Sequence, residues 1–427
     1  MSSTVQDELA ALRGIEQLEE IKDLAGRRVA PLTRPKSNLH VHLPPNFSAF
    51  ETVEQVVKLA AEQQIGVLGV SNYYDYEIYA EYSALCRKNK IFPVFGLEII
   101  GLSDQLCRQG VKVNDPGNPG KYYMVGKGIT RFSPMSAEAQ RLVGVIRRND
   151  SQRMAQMTAL IAQIFESRGL PLDVNEDSVK DMVMQRHRCP RQNVYLQERH
   201  IAQAFQEALF ERVPSDQRGA ALAKVLGLPP SNNGSVDKVK VQGDIRSHLM
   251  KAGKPAFVEE SFIQIENAYR LILEMGGIPA YPTLADGTKP ICGYEDPVEQ
   301  LIERLSASRI YCAELIPIRN QPAMLSHYVK SMRRAGLVVT AGTEHNTLDM
   351  LALDPACVNA QEIPEDVKEI FWEGTCVIVA HQFLCLHGKC GFVDAAGRPN
   401  PEYKSDEQRI SAFRELGAAV LARYYQS

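Results

Sequence analysis

Two hydrophobic rhythms alternate along this chain. Ser37 to His42 reads as a short strand, and Thr52 to Gln64 carries apolar positions Val53, Val56, Val57, Leu59 and Ala60 at helical spacing. Ile65-Gly-Val-Leu-Gly-Val70 is a continuous apolar run, the mark of a strand buried on both faces. Tyr76 to Asn89 predicts a helix, and Ile91 to Leu97 predicts a third buried strand that ends at Glu98. Strand and helix in alternation at this spacing predict parallel βα units. Ahead of them, Leu9, Leu12, Ile15, Leu18, Ile21 and Leu24 recur three apart and predict a leading helix over residues 1–34.

The rhythm breaks after residue 104. Asn114 to Gly120 is rich in Asn, Pro and Gly and predicts a loop. Tyr122 to Ile129 fits a short strand, and Arg141–Arg168, Val194–Arg212 and Gly219–Leu226 have helical patterns. Residues 105–264 are therefore expected to form a mostly helical insertion. The βα rhythm returns with a helix over Ile263–Met275, closed by Gly276-Gly277. Strands follow at Ile278–Tyr281, Ile310–Glu314, Leu337–Ala341 and Cys376–Ala380, with helices between them and a final helix over Ser405–Tyr425. The pattern predicts an α/β chain built as a (β/α)7 barrel from residues 35–104 and 265–427, seven parallel strands interrupted by the insertion.

In such folds active sites collect at the carboxyl ends of the strands. The residues expected there are His40, His42, Asn72, Tyr73, Asp75, Glu98, Tyr281, Glu314, the run Glu344-His345-Asn346, and His381. His40 and His42 are two apart, so on a strand both imidazoles face one way and can grip a divalent cation. Four of the nine histidines share this end with several carboxylates, a placement that unrelated surface residues have no reason to adopt.

Composition narrows the class. The chain has 427 residues, 44% hydrophobic and 23% charged, with a net charge of −3. That near-neutral balance argues against nucleic acid as a partner. The N-terminal segment lacks the apolar core of a signal peptide. The run Cys376–Leu386 is short and broken by His381 and Gln382, so no membrane association is expected. Nine cysteines, an odd number among apolar neighbours, fit reduced thiols and a cytoplasmic location.

Leu39-His-Val-His42, Phe95-Gly-Leu-Glu98 and Thr340-Ala-Gly-Thr-Glu-His345, in that order, resemble motifs of the polymerase-and-histidinol-phosphatase (PHP) superfamily. The resemblance covers about 35–104 and 265–390. It implies metal-dependent phosphoester hydrolysis, with His40, His42 and Glu98 as metal ligands and Glu98 bridging two ions. Three places depart from the family pattern. Asn72 and Tyr73 stand where the family has Asp-His, and Tyr281-Pro282 stands for His-Pro. Glu344 takes the Asp place of the last motif, while Asn346 takes its His place and His345 comes one position early. The expected cofactor is accordingly one or two divalent ions (zinc, manganese or iron), held by His40, His42, Glu98, Glu344, His345 and His381.

Glu98, His345 and Arg319 are the expected catalytic groups. Arg319, just past the Ile310–Glu314 strand, would serve as a fork for phosphate. Lys121 and Lys127 flank Tyr122 and Tyr123 in a glycine-rich stretch that would form a lid, with Arg199 and His200 facing it. A solvated surface charge is the alternative for each cation. Cys385, His387 and Cys390 offer three soft donors in six residues, and ordinary thiols beside a loop histidine are their alternative. The expected substrate is a small phosphorylated metabolite, and a homo-oligomer is compatible with the sequence. Two other classes stay open: a metal-dependent carbohydrate isomerase, lyase or amidohydrolase-like enzyme, and a binding protein on the same fold that has lost catalysis.

Overall fold

The computed structural model describes residues 3–26, 34–46, 48–229, 237–346 and 351–426. The strands are β1 (Lys36–Val41), β2 (Ile65–Val70), β3 (Phe92–Val94), β4 (Gly96–Leu102), β5 (Lys121–Lys127), β6 (Ile263–Gln264), β7 (Ile278–Thr283), β8 (Cys312–Leu315) and β9 (Val338–Ala341). They form a mixed α/β unit with two sheets. One is parallel, in the order β1-β2-β3. The other has the order β6-β4-β5-β7-β8-β9. Single parallel bridges, Val41 to Glu344 and Asn72 to Leu97, link the two sheets.

The apolar runs read from the sequence fall on β1 to β4 and β7 to β9, where Val67, Leu68, Val70, Leu97, Ala280 and Val339 are buried. Two features differ from an all-parallel set of seven. First, β5 is antiparallel to both of its neighbours, β4 and β7. The connection over residues 103–120, which includes the short helix Asp104–Arg108, brings the chain back beside β4 in the antiparallel sense. Second, Cys376–Ala380 is not a strand. It lies inside the helix Glu365–Leu386, where every residue from Gly374 to Leu384 is buried. A short apolar run fits a buried strand and a buried helix equally, and here the apolar text continues beyond strand length. This helix is the one among the described residues long and apolar enough to cross a membrane, and most of it is buried in the fold.

The leading segment forms two helices, Val5–Arg13 and Leu18–Gly26, because Gly14 ends the first. The first is pinned by a two-pronged pair in which Arg87 Nε and Nη2 each lie 2.8 Å from a Glu8 carboxylate oxygen. Residues 1, 2 and 27–33 of the predicted leading helix lie outside the described residues.

Residues Gly144–Phe262 form a second compact unit. It is helical, with Glu176–His187, Glu198–Arg212, Arg218–Leu226 and Lys238–Ile245 around a core that includes Met157, Phe165, Val179, Phe205 and Leu209. Residues 105–143, read as part of the insertion, go with the first unit because β5 is woven into its sheet.

His381 sits in the middle of the apolar helix. Its Nε2 donates to the Gly276 carbonyl at 2.9 Å, and its Nδ1 accepts from the Phe392 amide at 3.0 Å. Burial pushes its imidazole down to about 4. An unfolded imidazole titrates near 6.5, so unfolding takes up a proton between those values. The contribution of the neutral ring is complete above pH 6.5 and is lost as pH falls towards 4, by about 3 kcal/mol. The urea midpoint is expected to fall between pH 7 and pH 4.5 in the wild type, and to fall less in His381→Gln. Parallel pH profiles for the two proteins would refute this assignment.

Candidate metal centre

β1 carries both histidines to one point. His42 follows the last residue of β1, and its amide donates to the Glu344 carbonyl at 3.1 Å, which extends the strand. The two rings therefore stay on one face, as alternation demands. Glu98 reaches the same point from β4, whose position is fixed by its own amide donating to the Asn72 carbonyl at 3.2 Å. Gly342, just past β9, is needed here: a Cβ on it would stand 2.2 Å from the His40 Cβ. Glycine thus lets the chain pass directly behind the first histidine.

The three side chains present one atom each to a common centre. His40 Nε2 and His42 Nε2 are 3.4 Å apart. Glu98 Oε2 lies 3.3 Å from His42 Nε2 and 3.6 Å from His40 Nε2. Donors at metal-ligand distances of about 2.0–2.1 Å in tetrahedral directions are separated by about 3.4 Å. The observed triangle has that size, and all three residues are buried. The donor set thus fits a divalent transition-metal ion.

Behind the triangle stands a buried ion pair. His40 Nδ1 is 2.6 Å from Glu314 Oε2 in β8. Glu314 Oε1 is in turn 2.5 Å from Lys127 Nζ in β5, and that ammonium also donates to the Leu39 carbonyl at 2.7 Å. Glu314 and Lys127 are 0% and 1% exposed. With an ion bound, the carboxylate would accept the Nδ1 proton of His40 and leave the Nε2 lone pair to ligate. Lys127 was expected on a lid or in solvent; its position inside the sheet rules out both, because β5 turns it inward.

The electrostatics are those of a cation site. Burial alone would lower His40, but the Glu314 carboxylate more than reverses this and lifts it to about 9. Burial would raise Glu98, yet the two imidazoles hold it below the ordinary carboxylate range. Glu314 is likewise held low against burial, first by Lys127 and then by His40. Burial holds His42 below its usual value. The pocket thus keeps two carboxylates charged around one point.

Other expected site residues go elsewhere. Glu344 and His345 occupy left-handed backbone, with φ of 62° and 53°, in the turn after β9. The Glu344 carboxylate pairs with Arg319 and accepts from Asn346 Nδ2 at 2.9 Å. His345 stacks on Phe50, with its Nδ1 2.8 Å from Thr343 Oγ1 and its Nε2 2.7 Å from the Leu351 carbonyl. Both of its ring nitrogens are thus turned away from the triangle. His381 is bonded to Gly276 and Phe392, as described above. Tyr73 stacks beside His42 with ring centroids 6.3 Å apart. Its phenol is pushed well up, by burial first and then by Glu98, so it stays protonated. Tyr281 Oη donates to the buried Glu295 at 2.8 Å.

No family model and no curated protein matches this sequence. Solved structures do match. A protein from Bifidobacterium adolescentis, provisionally named a metal-dependent phosphoesterase, aligns with a TM-score of 0.51 at 15% identity, over 80% of this chain and 96% of that one. An amidohydrolase from Chromobacterium violaceum, with sulfate and no metal bound, aligns with a TM-score of 0.51 at 16% identity, over 78% of this chain and 96% of that one. The likeness establishes the fold. It is a fold shared with metal-dependent hydrolases, and the buried His40–His42–Glu98 triangle lies within it.

Removing Lys127 tests the inner pair. Lys127→Met leaves Glu314 buried without its cation and is expected to destabilise the fold by about 3–5 kcal/mol. Adding Glu314→Gln should recover part of that loss, read from urea unfolding of the single and double variants. Strict additivity of the two changes would show that the pair is not coupled.

Proposed function

We propose that this chain is a metal-dependent phosphoesterase of the PHP type, acting on a small phosphorylated metabolite. The observation that carries this reading is the buried triangle of His40, His42 and Glu98, sized for one ion and backed by Glu314. The strand pairing supports the barrel part of it. Neighbours run from β1 to β2, through Asn72 to β4, then to β5, β7, β8 and β9, and through Glu344 back to β1. Counting β3 and β4 as one stave, that order of neighbours is the one a seven-stave barrel would have.

His40, His42 and Glu98 would hold the ion. When bound, a divalent ion acidifies a coordinated water to a pKa of about 7 and offsets charge on phosphoryl oxygens. Glu314 keeps the His40 ring in the tautomer that ligates, and Lys127 keeps Glu314 in place. The protonated Tyr73 phenol can donate to an anionic oxygen beside His42. Arg319 can offer a guanidinium fork once a phosphate competes with Glu344 for it. Glu98 is the one carboxylate within reach of both imidazoles among the described residues, which favours one ion over two.

A second reading is an amidohydrolase-like enzyme. Asn72 and Tyr73 in place of Asp-His favour it, since they remove two ligands that a multi-ion phosphoesterase would use. Metal content of the purified protein and a release assay over sugar phosphates, nucleotides and simple amides separate the two. His40→Ala and Glu98→Gln are each expected to lower metal affinity at least tenfold, on the scale of 10–100-fold seen when even supporting groups are removed, with the circular dichroism spectrum unchanged. Phosphate release that persists in both variants, or a wild-type protein that takes up no metal, would refute the phosphoesterase reading.

A further inference from the structure

A cavity of about 360 Å³, within the size range of small-molecule sites, lies at the amino end of β7. Thr130 and Arg131 reach it just past β5, whose carboxyl end pairs with the start of β7, and Gly276 reaches it just ahead of β7. Leu273, Lys389 and Val393 also line it. His42 follows the carboxyl end of β1. The cavity and the metal centre therefore lie at opposite ends of the parallel strands.

Two cations line this cavity without an acidic partner. Arg131 Nη2 donates to the Leu273 carbonyl at 2.7 Å, which holds the guanidinium in place. Among the described residues no carboxylate pairs with Arg131 or with Lys389. Asp394, the acid among the lining residues, is committed elsewhere. It accepts from Arg398 Nε at 2.9 Å and from the Ala396 and Arg398 amides, each at 2.8 Å.

A second, independent observation is a buried hydroxyl. Thr130 is 8% exposed, and its Oγ1 has no hydrogen-bond partner. Such a group is costly to leave unsatisfied. Gly276, in left-handed backbone with φ of 74°, faces this hydroxyl. A Cβ on it would stand 3.0 Å from both Thr130 Oγ1 and Arg131 Nε. Two donors thus converge where the chain carries no side chain.

We propose that this cavity binds a phosphate-type oxyanion between Arg131, Lys389 and the Thr130 hydroxyl. A tetrahedral dianion would balance the two positive charges and give the buried hydroxyl its partner. A guanidinium already positioned by Leu273 loses little freedom when it takes up such a group. Leu273 and Val393 would cover a short apolar body, so the anion is either free phosphate or the head of a small phosphomonoester. The site rests on these residues alone and does not depend on the phosphoesterase reading of the metal centre.

Calorimetric titration of the full chain with inorganic phosphate and with β-glycerophosphate, at constant ionic strength and with a chelator present, tests it. His40→Ala serves as the background that disables the metal centre. One equivalent is expected to bind in that background. Arg131→Gln should weaken binding by about tenfold or more, the scale of a hydrogen bond to a charged group. Arg131 and Lys389 are both exposed, so this variant should fold, and Lys389→Gln provides the second measurement. Tighter binding of the ester would identify a phosphomonoester as the ligand, and tighter or equal binding of inorganic phosphate would identify the free ion. Three results would each overturn the proposal. The first is no saturable binding of either probe up to about 10 mM, a range in which affinity is marginal. The second is affinity unchanged in Arg131→Gln or in Lys389→Gln. The third is binding that the wild type shows and His40→Ala alone abolishes.

Discussion

A buried carboxylate held between an ammonium and an imidazole organises this fold. Glu314 on β8 binds Lys127 on β5 and His40 on β1, and so ties together three strands far apart in sequence. Burying such a group is expensive unless every partner is present. Each strand must therefore be in register before any of them is comfortable. The same constraint sets the chemistry. Lys127 neutralises one of the two buried carboxylates, Glu98 and Glu314, and leaves one negative charge over. A proton on His40 or a divalent cation beside Glu98 can supply the balance, and the high basicity of His40 expresses that demand.

Much of this was legible in the chain itself. The strand positions follow from continuous apolar runs, because a strand covered on both faces cannot alternate. The His40–His42 spacing was visible too, whereas Glu98, read as a strand end, stands inside β4 (Gly96–Leu102). The parts that escaped have physical causes. Lys127 resembles any exposed lysine near glycines, and only the antiparallel placement of β5 turns it inward. Its phase was the available signal: Lys127 falls on the same face as Tyr123 and Val125, and a charge in that phase needs a buried partner. Glu314 lies within an apolar strand as Glu98 does, yet nothing local says which of the two meets both imidazole Nε2 atoms and which lies between Lys127 and His40.

His345 and His381 illustrate the opposite error. Both were placed with the ligands on residue type and position, and both spend their ring nitrogens on nearby backbone or hydroxyl groups. A histidine four residues after a strand end can point either way, depending on the turn. Here two successive left-handed residues, Glu344 and His345, rotate the imidazole onto Phe50. For His381 the period decided the matter. Read as a strand, Cys376–Ala380 delivers it to the site; wound as a helix, the same residues bury it against Gly276.

The departures from the motifs that the sequence resembles become coherent, on the proposed reading, once these placements are combined. A site with several ions needs many carboxylates and imidazoles free to ligate. Here Glu344 is committed to Arg319 and Asn346, His345 to Thr343 and Leu351, and Glu314 to Lys127. Asn72 spends its side chain holding the Leu43 amide and the Asp75 carbonyl. Each lost or diverted ligand would leave an uncompensated charge if the others still demanded several ions. On the proposed reading Lys127 would lower that demand, since its ammonium, fixed inside the sheet, supplies part of the neutralisation that further metal ions would otherwise provide. On that reading a lysine at this position and a reduced ligand set are two sides of one electrostatic solution: three donors, one supporting carboxylate and the charge balance for a single divalent ion.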